Sequence, residues 1–322
     1  MELGRRRFLG GLVAAGAAAV LPGCSSGGPS AGATGRLRIA TGSPGAVFHR
    51  YGSALAAEAG LLMPDVRADA LSTTGSVEND VALADGRADV AFSLGDTAVL
   101  ALAGADPFDA PLAPVGLARL YDSFLQVVVP QGSPVRTAAD LAGRRVADGG
   151  TGSGGRVVLA RCLDALGITG DVELLGGPLS DGAELLRSGG ADALAYVSGY
   201  PVEALVELGA QVPLRALDLG DLVAPLVAAH GPLYVAGPLP AAAYGLPAAV
   251  RTVAVTTYLL AAPGLPEAAA YGLCSVVFDR QGQIAARVPD VRQPTLAAGM
   301  FTQPVPLHPG ALRWFRDRAR GG

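Results

Sequence analysis

The chain has 322 residues, 50% hydrophobic, 16% charged and 5% aromatic, too long for one ordinary core and too apolar for a disordered chain, so two globular domains are expected. A net charge of −4 leaves no basic field for gripping a nucleic-acid backbone. All 24 basic residues are arginine, which excludes a phosphate-binding loop built on lysine, a Schiff-base enzyme and a Ser/Lys dyad, because each needs a primary amine. The three Cys and three His stand singly, so neither a metal site nor a cofactor is expected.

In chain order, Arg5-Arg6-Arg7-Phe8-Leu9 forms a charged region before an apolar run that ends at Leu21, the length of an export signal and too short to span a bilayer. The arginine pair resembles a twin-arginine signal, and Leu21-Pro22-Gly23-Cys24 resembles a lipobox. Residues 1–23 are therefore read as a removed signal peptide, Cys24 as the lipidated residue, and 24–35 as a flexible tether. Such a chain would sit exported, lipid-anchored at the outer face of the cell membrane. Cys162 and Cys274 lie in apolar, helix-like surroundings and read as buried thiols.

From residue 36, apolar strands alternate with helical periods. Strands are predicted at 37–40, 66–71 and 90–94, with helices at 45–58 and 76–84. A second series follows, with strands at 125–129, 145–147, 172–175 and 193–197 and helices at 155–166 and 182–187. Each is a βαβ series and calls for a parallel sheet, so two sheets in series are expected. Beyond residue 230 the segments are punctuated by proline, with a strand at 250–260 and helices at 266–278 and 308–318. This last third is expected to return to the first domain, giving lobe 1 as 36–124 plus 230–322 and lobe 2 as 125–229.

Ligands of open α/β sheets bind where strands end and helices begin. Three such turns are rich in glycine and hydroxyls: Thr41 to Phe48, Ser72 to Asn79, and Asp148 to Gly155. They offer amides and neutral donors but no strong base or nucleophile, and so suit an anion. Ser76 can cap the second helix, and Asn79, three residues on, is expected to share its face. Asp96 follows the third strand and could cap a helix or meet an ammonium group. His49, near the first turn, reads as structural. Gly150, Gly152 and Gly155 match a dinucleotide fingerprint, but Asp171 and Glu173 precede the far end of their strand, where the ribose-binding acid should stand. No GxSxG elbow occurs in either serine-bearing loop.

Gly42-Ser43-Pro44-Gly45, Gly75-Ser76-Val77-Glu78-Asn79, Asp140 to Val146, Gly152-Ser153-Gly154, Gly199-Tyr200-Pro201 and Pro306 to Ala311 stand in an order and spacing that resembles the TAXI family of solute receptors for TRAP transporters. The resemblance implies an α/β periplasmic-binding-protein type II fold, two lobes with a ligand cleft and a hinge. It implies capture of a small carboxylate or amino acid, glutamate-like or a dicarboxylate, for delivery to a TRAP-type permease, and no enzymatic activity. By matching position it implies contacts from Gly42, Ser43, Val47, Phe48, Ser76, Asn79, Asp96, Thr151, Ser153, Gly154 and Tyr200. Phe48 and Leu94 replace a Tyr and a Gln common in that family, which points to a ligand less polar than glutamate. A ligand-sensing lipoprotein and an exported α/β enzyme are the alternatives.

Overall fold

The computed structural model describes residues 32–289 and 291–321. The signal peptide, Cys24 and the tether up to residue 31 lie outside the described residues.

The first unit runs β1 (Gly35–Ala40), α1 (Val47–Leu62), β2 (Val66–Leu71), α2 (Ser76–Ala84), β3 (Val90–Leu94) and α3 (Gly95–Ala103). β1 pairs with β2 and β3, both parallel, as a right-handed βαβ series requires. Apolar residues at the spacing of one helix face turn Tyr51, Leu55 and Ala59 of α1 inward onto Phe92 and Leu117. Helix α3 has no polar face to mark its period, so the sequence offers only Asp96 as a sign of a helix there and not its extent.

β4 (Val115–Pro130) then runs for 16 residues. The predicted strand at 125–129 is only its far end, because Arg119, Asp122 and Ser123 interrupt the apolar pattern. The second unit follows with β5 (Arg145–Ala147), α4 (Gly154–Ala165), β6 (Glu173–Leu174), α5 (Leu179–Ser188) and β7 (Ala193–Ser198), and β5 pairs parallel with β6 and β7. Next come α6 (Glu203–Gln211), β8 (Leu214–Ala216), α7 (Val223–His230), β9 (Tyr234–Leu239) and β10 (Val250–Ala261). The chain ends with α8 (Glu267–Asp279), α9 (Gln281–Arg287), α10 (Leu296–Gly299) and α11 (Pro309–Gly321).

Two separate sheets do not form. A single ten-stranded sheet runs β2-β1-β3-β10-β4-β7-β5-β6, with β8 on β4 and β9 on β10. Its two halves are fused because β4 and β10 are long and antiparallel, pairing from Ala261↔Val115 to Ala254↔Phe124. The first part of β4 belongs to one half and its last part, paired with β7, to the other. The fold is an α/β fold on one mixed sheet.

The cores follow this division. One cluster gathers α1, β1, β3 and the C-terminal helices around Phe92, Leu259, Leu273 and Trp314. Others gather α4, β5 and β7 around Leu125, Leu159 and Ala195, and α5 and α6 around Leu194 and Leu205. Tyr234, Leu239, Val253 and Val255, all from the 230–322 stretch expected in lobe 1, pack with these second-half clusters. A chain that leaves the second half through a shared sheet keeps its first strands there. Cys162 and Cys274 are buried free thiols, and burial pushes the Cys162 thiol up to about 12.

Candidate functional site

Between the halves lies a cavity of about 380 Å³, within the range of small-molecule sites. Its walls are the starts of four helices: Ala46, Val47 and Phe48 of α1, Gly75 and Ser76 of α2, Ser153 to Gly155 of α4, and Pro178 and Leu179 of α5. The first-turn amides of a helix have no carbonyl partner within it, and each terminus bears about half a positive charge. Gly42, Ser43, Thr74, Leu94, Gly149, Gly150, Gly177, Tyr196, Val197 and Ser198 complete the lining, and none of these residues is charged. Burial pushes the Tyr196 phenol up to about 12, so it stays neutral at physiological pH. The cavity can therefore hold an anion through peptide dipoles and hydroxyls, without a guanidinium.

The halves also touch directly. The Gly152 carbonyl of the second half accepts from the Val77 and Glu78 amides at 3.1 and 3.2 Å, so two of the α2 donors are already engaged. Glu78 in turn accepts from the Thr74 amide and hydroxyl at 2.8 and 2.7 Å and shapes the opposing turn. Glycine is required at this approach: a Cβ on Gly154 would stand 2.6 Å from the Ser76 Oγ, and one on Gly152 would overlap the Thr74 Oγ1.

Behind the cavity, Asp96 of α3 is wholly buried and accepts from the Tyr234 hydroxyl at 2.6 Å. Tyr234 accepts from Arg161 of α4 at 2.7 Å, and Arg161 lies 3.7 Å from Asp96. Burial pushes the Asp96 carboxyl up, against the Tyr234 hydrogen bond and the Arg161 charge. Val157 of α4 packs on the cluster of Val77, Ala101 and Phe108. The two halves thus share a polar triad and an apolar contact.

Comparison with known proteins bears on what such an arrangement is. The NMT1-like family profile matches residues 39–318. The chain belongs to the NMT1-like family. XAC2383 from Xanthomonas citri, solved with chloride ion and with ATP, superposes at a TM-score of 0.52 with 15% identity, covering 89% of this chain and 96% of that one. A protein from Listeria monocytogenes named for L-cystine ABC transport gives 0.50 with 16% identity over 78% and 93% of the two chains. The periplasmic aliphatic sulphonate binding protein SsuA from Escherichia coli gives 0.45 with 17% identity over 89% and 91%. At these identities the likeness of the first two is one of fold, an α/β fold of the periplasmic-binding-protein type.

In this NMT1-like chain seven of the residues singled out from sequence line the cavity: Gly42, Ser43, Val47, Phe48, Ser76, Ser153 and Gly154. Ser76 is the first residue of α2 rather than its cap, and its Oγ accepts from the Leu94 amide at 3.0 Å. Ser153 does cap α4, accepting from the Gly155 amide at 3.1 Å. Four residues stand apart from the cavity. Asn79, wholly buried, donates to the Thr41 and Phe92 carbonyls at 2.6 and 2.7 Å and accepts from the Thr73 hydroxyl, so it staples β1, β3 and the turn instead of converging with Ser76. Asp96 belongs to the triad, accepting from the Thr97 amide at 2.8 Å as well. Thr151 is exposed on the loop crest. Tyr200 faces another cavity, its ring 4.8 Å from that of Phe124.

The α5 start, Tyr196 and Ser198 were missed from sequence. Pro178 and Leu179 follow the short β6, too brief to announce that a ligand-facing turn comes next. The available signal was the equivalence of this turn to the Ser72 to Asn79 turn of the first unit. Asp171 and Glu173 stand at the opposite end of β6 from the cavity, their backbones tied to Gly143 and Arg144. His49 meets the Thr41 hydroxyl at 3.2 Å. Among the described residues no group of three or more His, Cys, Asp or Glu could hold a metal, and no helix is long and apolar enough to cross a membrane.

Proposed function

We propose that this NMT1-like chain is an extracytoplasmic solute receptor that captures a small organic carboxylate in the cavity between its halves. One observation carries the reading: four helix N-termini from both halves converge on an uncharged cavity, which suits an anion held by dipoles. The first half with the C-terminal helices acts as lobe 1, residues from 125 through β9 as lobe 2, and β4 and β10 as the hinge. Capture is reversible and breaks no bond; a ligand touching both lobes favours the closed form by its differential affinity.

The finer assignment rests on the TAXI resemblance: delivery to a TRAP-type permease by a receptor lipid-anchored at Cys24. Phe48, its ring 5.5 Å from that of Phe92, and Leu94 give the cavity apolar walls and favour a carboxylate less polar than glutamate. Mass spectrometry of the small molecule co-purifying with the chain, followed by calorimetric titration with that molecule, glutamate and hexanoate, tests this. A bound carboxylate with affinity above that of glutamate is expected. Strong preference for glutamate would overturn the polarity assignment, and absence of carboxylate binding would overturn the receptor reading.

A further inference from the structure

A second cavity, of about 440 Å³, opens on the hinge side of the molecule, where β4 meets the end of β7 and the segment after residue 290. The Val47 side chain, 3.5 Å from the position a Cβ would take on Gly199, stands between this space and the first cavity. Its chemistry is different. Arg119 and Arg292 both line it, against the single carboxylate of Asp122. Arg119 gives one nitrogen to Asp122 at 3.1 Å. Arg292 has no ion-pair partner among the described residues and is exposed. Among the described lining residues the charge is therefore one positive unit in excess. Beside the guanidinium groups Tyr200 and Phe124 form an aromatic pair with centroids 4.8 Å apart, and Gln293 is held in place by the Tyr51 hydroxyl and the Val291 carbonyl at 3.3 and 3.1 Å.

We propose that this cavity is a second ligand site, for a planar aromatic carboxylate. The carboxylate would take the open donors of Arg292 and Arg119, which offer forked, charge-assisted hydrogen bonds. The ring would lie on the Phe124 and Tyr200 faces, where offset aromatic contacts are favourable. The walls come from β4, which serves both halves, from Tyr200 of the second half and from Arg292 of the first, so occupancy bears on the hinge.

Titration of the purified chain with benzoate, read by saturation-transfer NMR and calorimetry, tests the site, with acetate as the ringless control. Benzoate is expected to bind more tightly than acetate. R292Q and Y200A are each expected to raise its Kd about tenfold; Arg292 is exposed and has no ion-pair partner among the described residues, so its replacement leaves folding intact. G154A, which obstructs the first cavity, is expected to weaken hexanoate there and to leave in place a benzoate site whose Kd still rises about tenfold with R292Q. Unchanged benzoate affinity in both R292Q and Y200A, loss of benzoate binding in G154A alone, or no benzoate binding to the unaltered chain would each overturn the proposal. None of these outcomes touches the co-purified ligand of the first cavity.

Discussion

Asn79 and Asp96 show how a residue's type can be right for a site and its neighbours still assign it elsewhere. Both are polar side chains just beyond strand ends, where ligand contacts gather, yet each is wholly buried with protein partners. Asn79→Ala would leave the Thr41 and Phe92 carbonyls without their donor, at about 1–3 kcal/mol per unsatisfied group; a lower denaturation midpoint with unchanged ligand affinity at saturating fold is the expected outcome. His308 makes a pH-dependent case. Its Nδ1 accepts from the Gly310 amide at 3.0 Å while its Nε2 meets the Leu265 carbonyl at 2.8 Å, so the neutral ring is the form that fits. Burial holds it below the usual histidine range, and His230 is lowered too, by burial and the Arg161 charge. A histidine lowered in the fold contributes stability above the unfolded value of about 6.5 and loses it as pH falls from there toward the folded value. Urea midpoints measured at pH 8 and pH 5 should therefore fall on acidification, and by less in H308Q.

The two βαβ units repeat more than an order of elements. In the first, Arg38 of β1 forks onto Asp89 at 2.8 and 3.0 Å and also gives it its own backbone amide; in the second, Arg145 of β5 does the same to Asp192. Each clamp ties the first strand of its unit to the start of the third, which fixes the strand order second-first-third in both. Burial pushes Asp89 up, but the Arg38 hydrogen bonds overcome it, and those of Arg145 lower Asp192 directly. Carboxylates lowered in the fold stabilise it above their unfolded value of about 4 and cease to as pH falls through the folded value. The double variant D89N/D192N should thus be less stable than the parent at pH 6, with the gap narrowing toward pH 3 in denaturation curves. At the α4 terminus, Gly154→Ala forces a methyl onto Ser76, and overpacking of this kind costs about 1–3 kcal/mol; ligand affinity should drop while circular dichroism stays unchanged.

On the scale of the whole molecule the halves are held by protein contacts as well as by any ligand. Removing one partner of a buried ionic group costs about 3–5 kcal/mol, because the remaining charge stays dry, and separating the halves would rewet Asp96. Arg161→Met should therefore enlarge the radius of gyration in solution scattering and weaken ligand binding; an unchanged radius would mean the triad does not hold the halves together. Much of this was legible beforehand. Glycine-rich turns between apolar strands and helical periods marked β2, α2, β3 and β5 to the residue and placed three of the four helix starts around the cavity. By itself the amino-acid sequence determined the α/β alternation and the uncharged, amide-rich character of the site, because both depend on short-range periodicity and residue type. Only the tertiary structure decided that one sheet joins both halves, that Asn79 and Asp96 face protein and Tyr200 a different cavity, and that α5 completes the first. Those outcomes depend on which distant segments meet, and no local pattern in Arg119 to Ser123 or in the two-residue β6 encodes its partners.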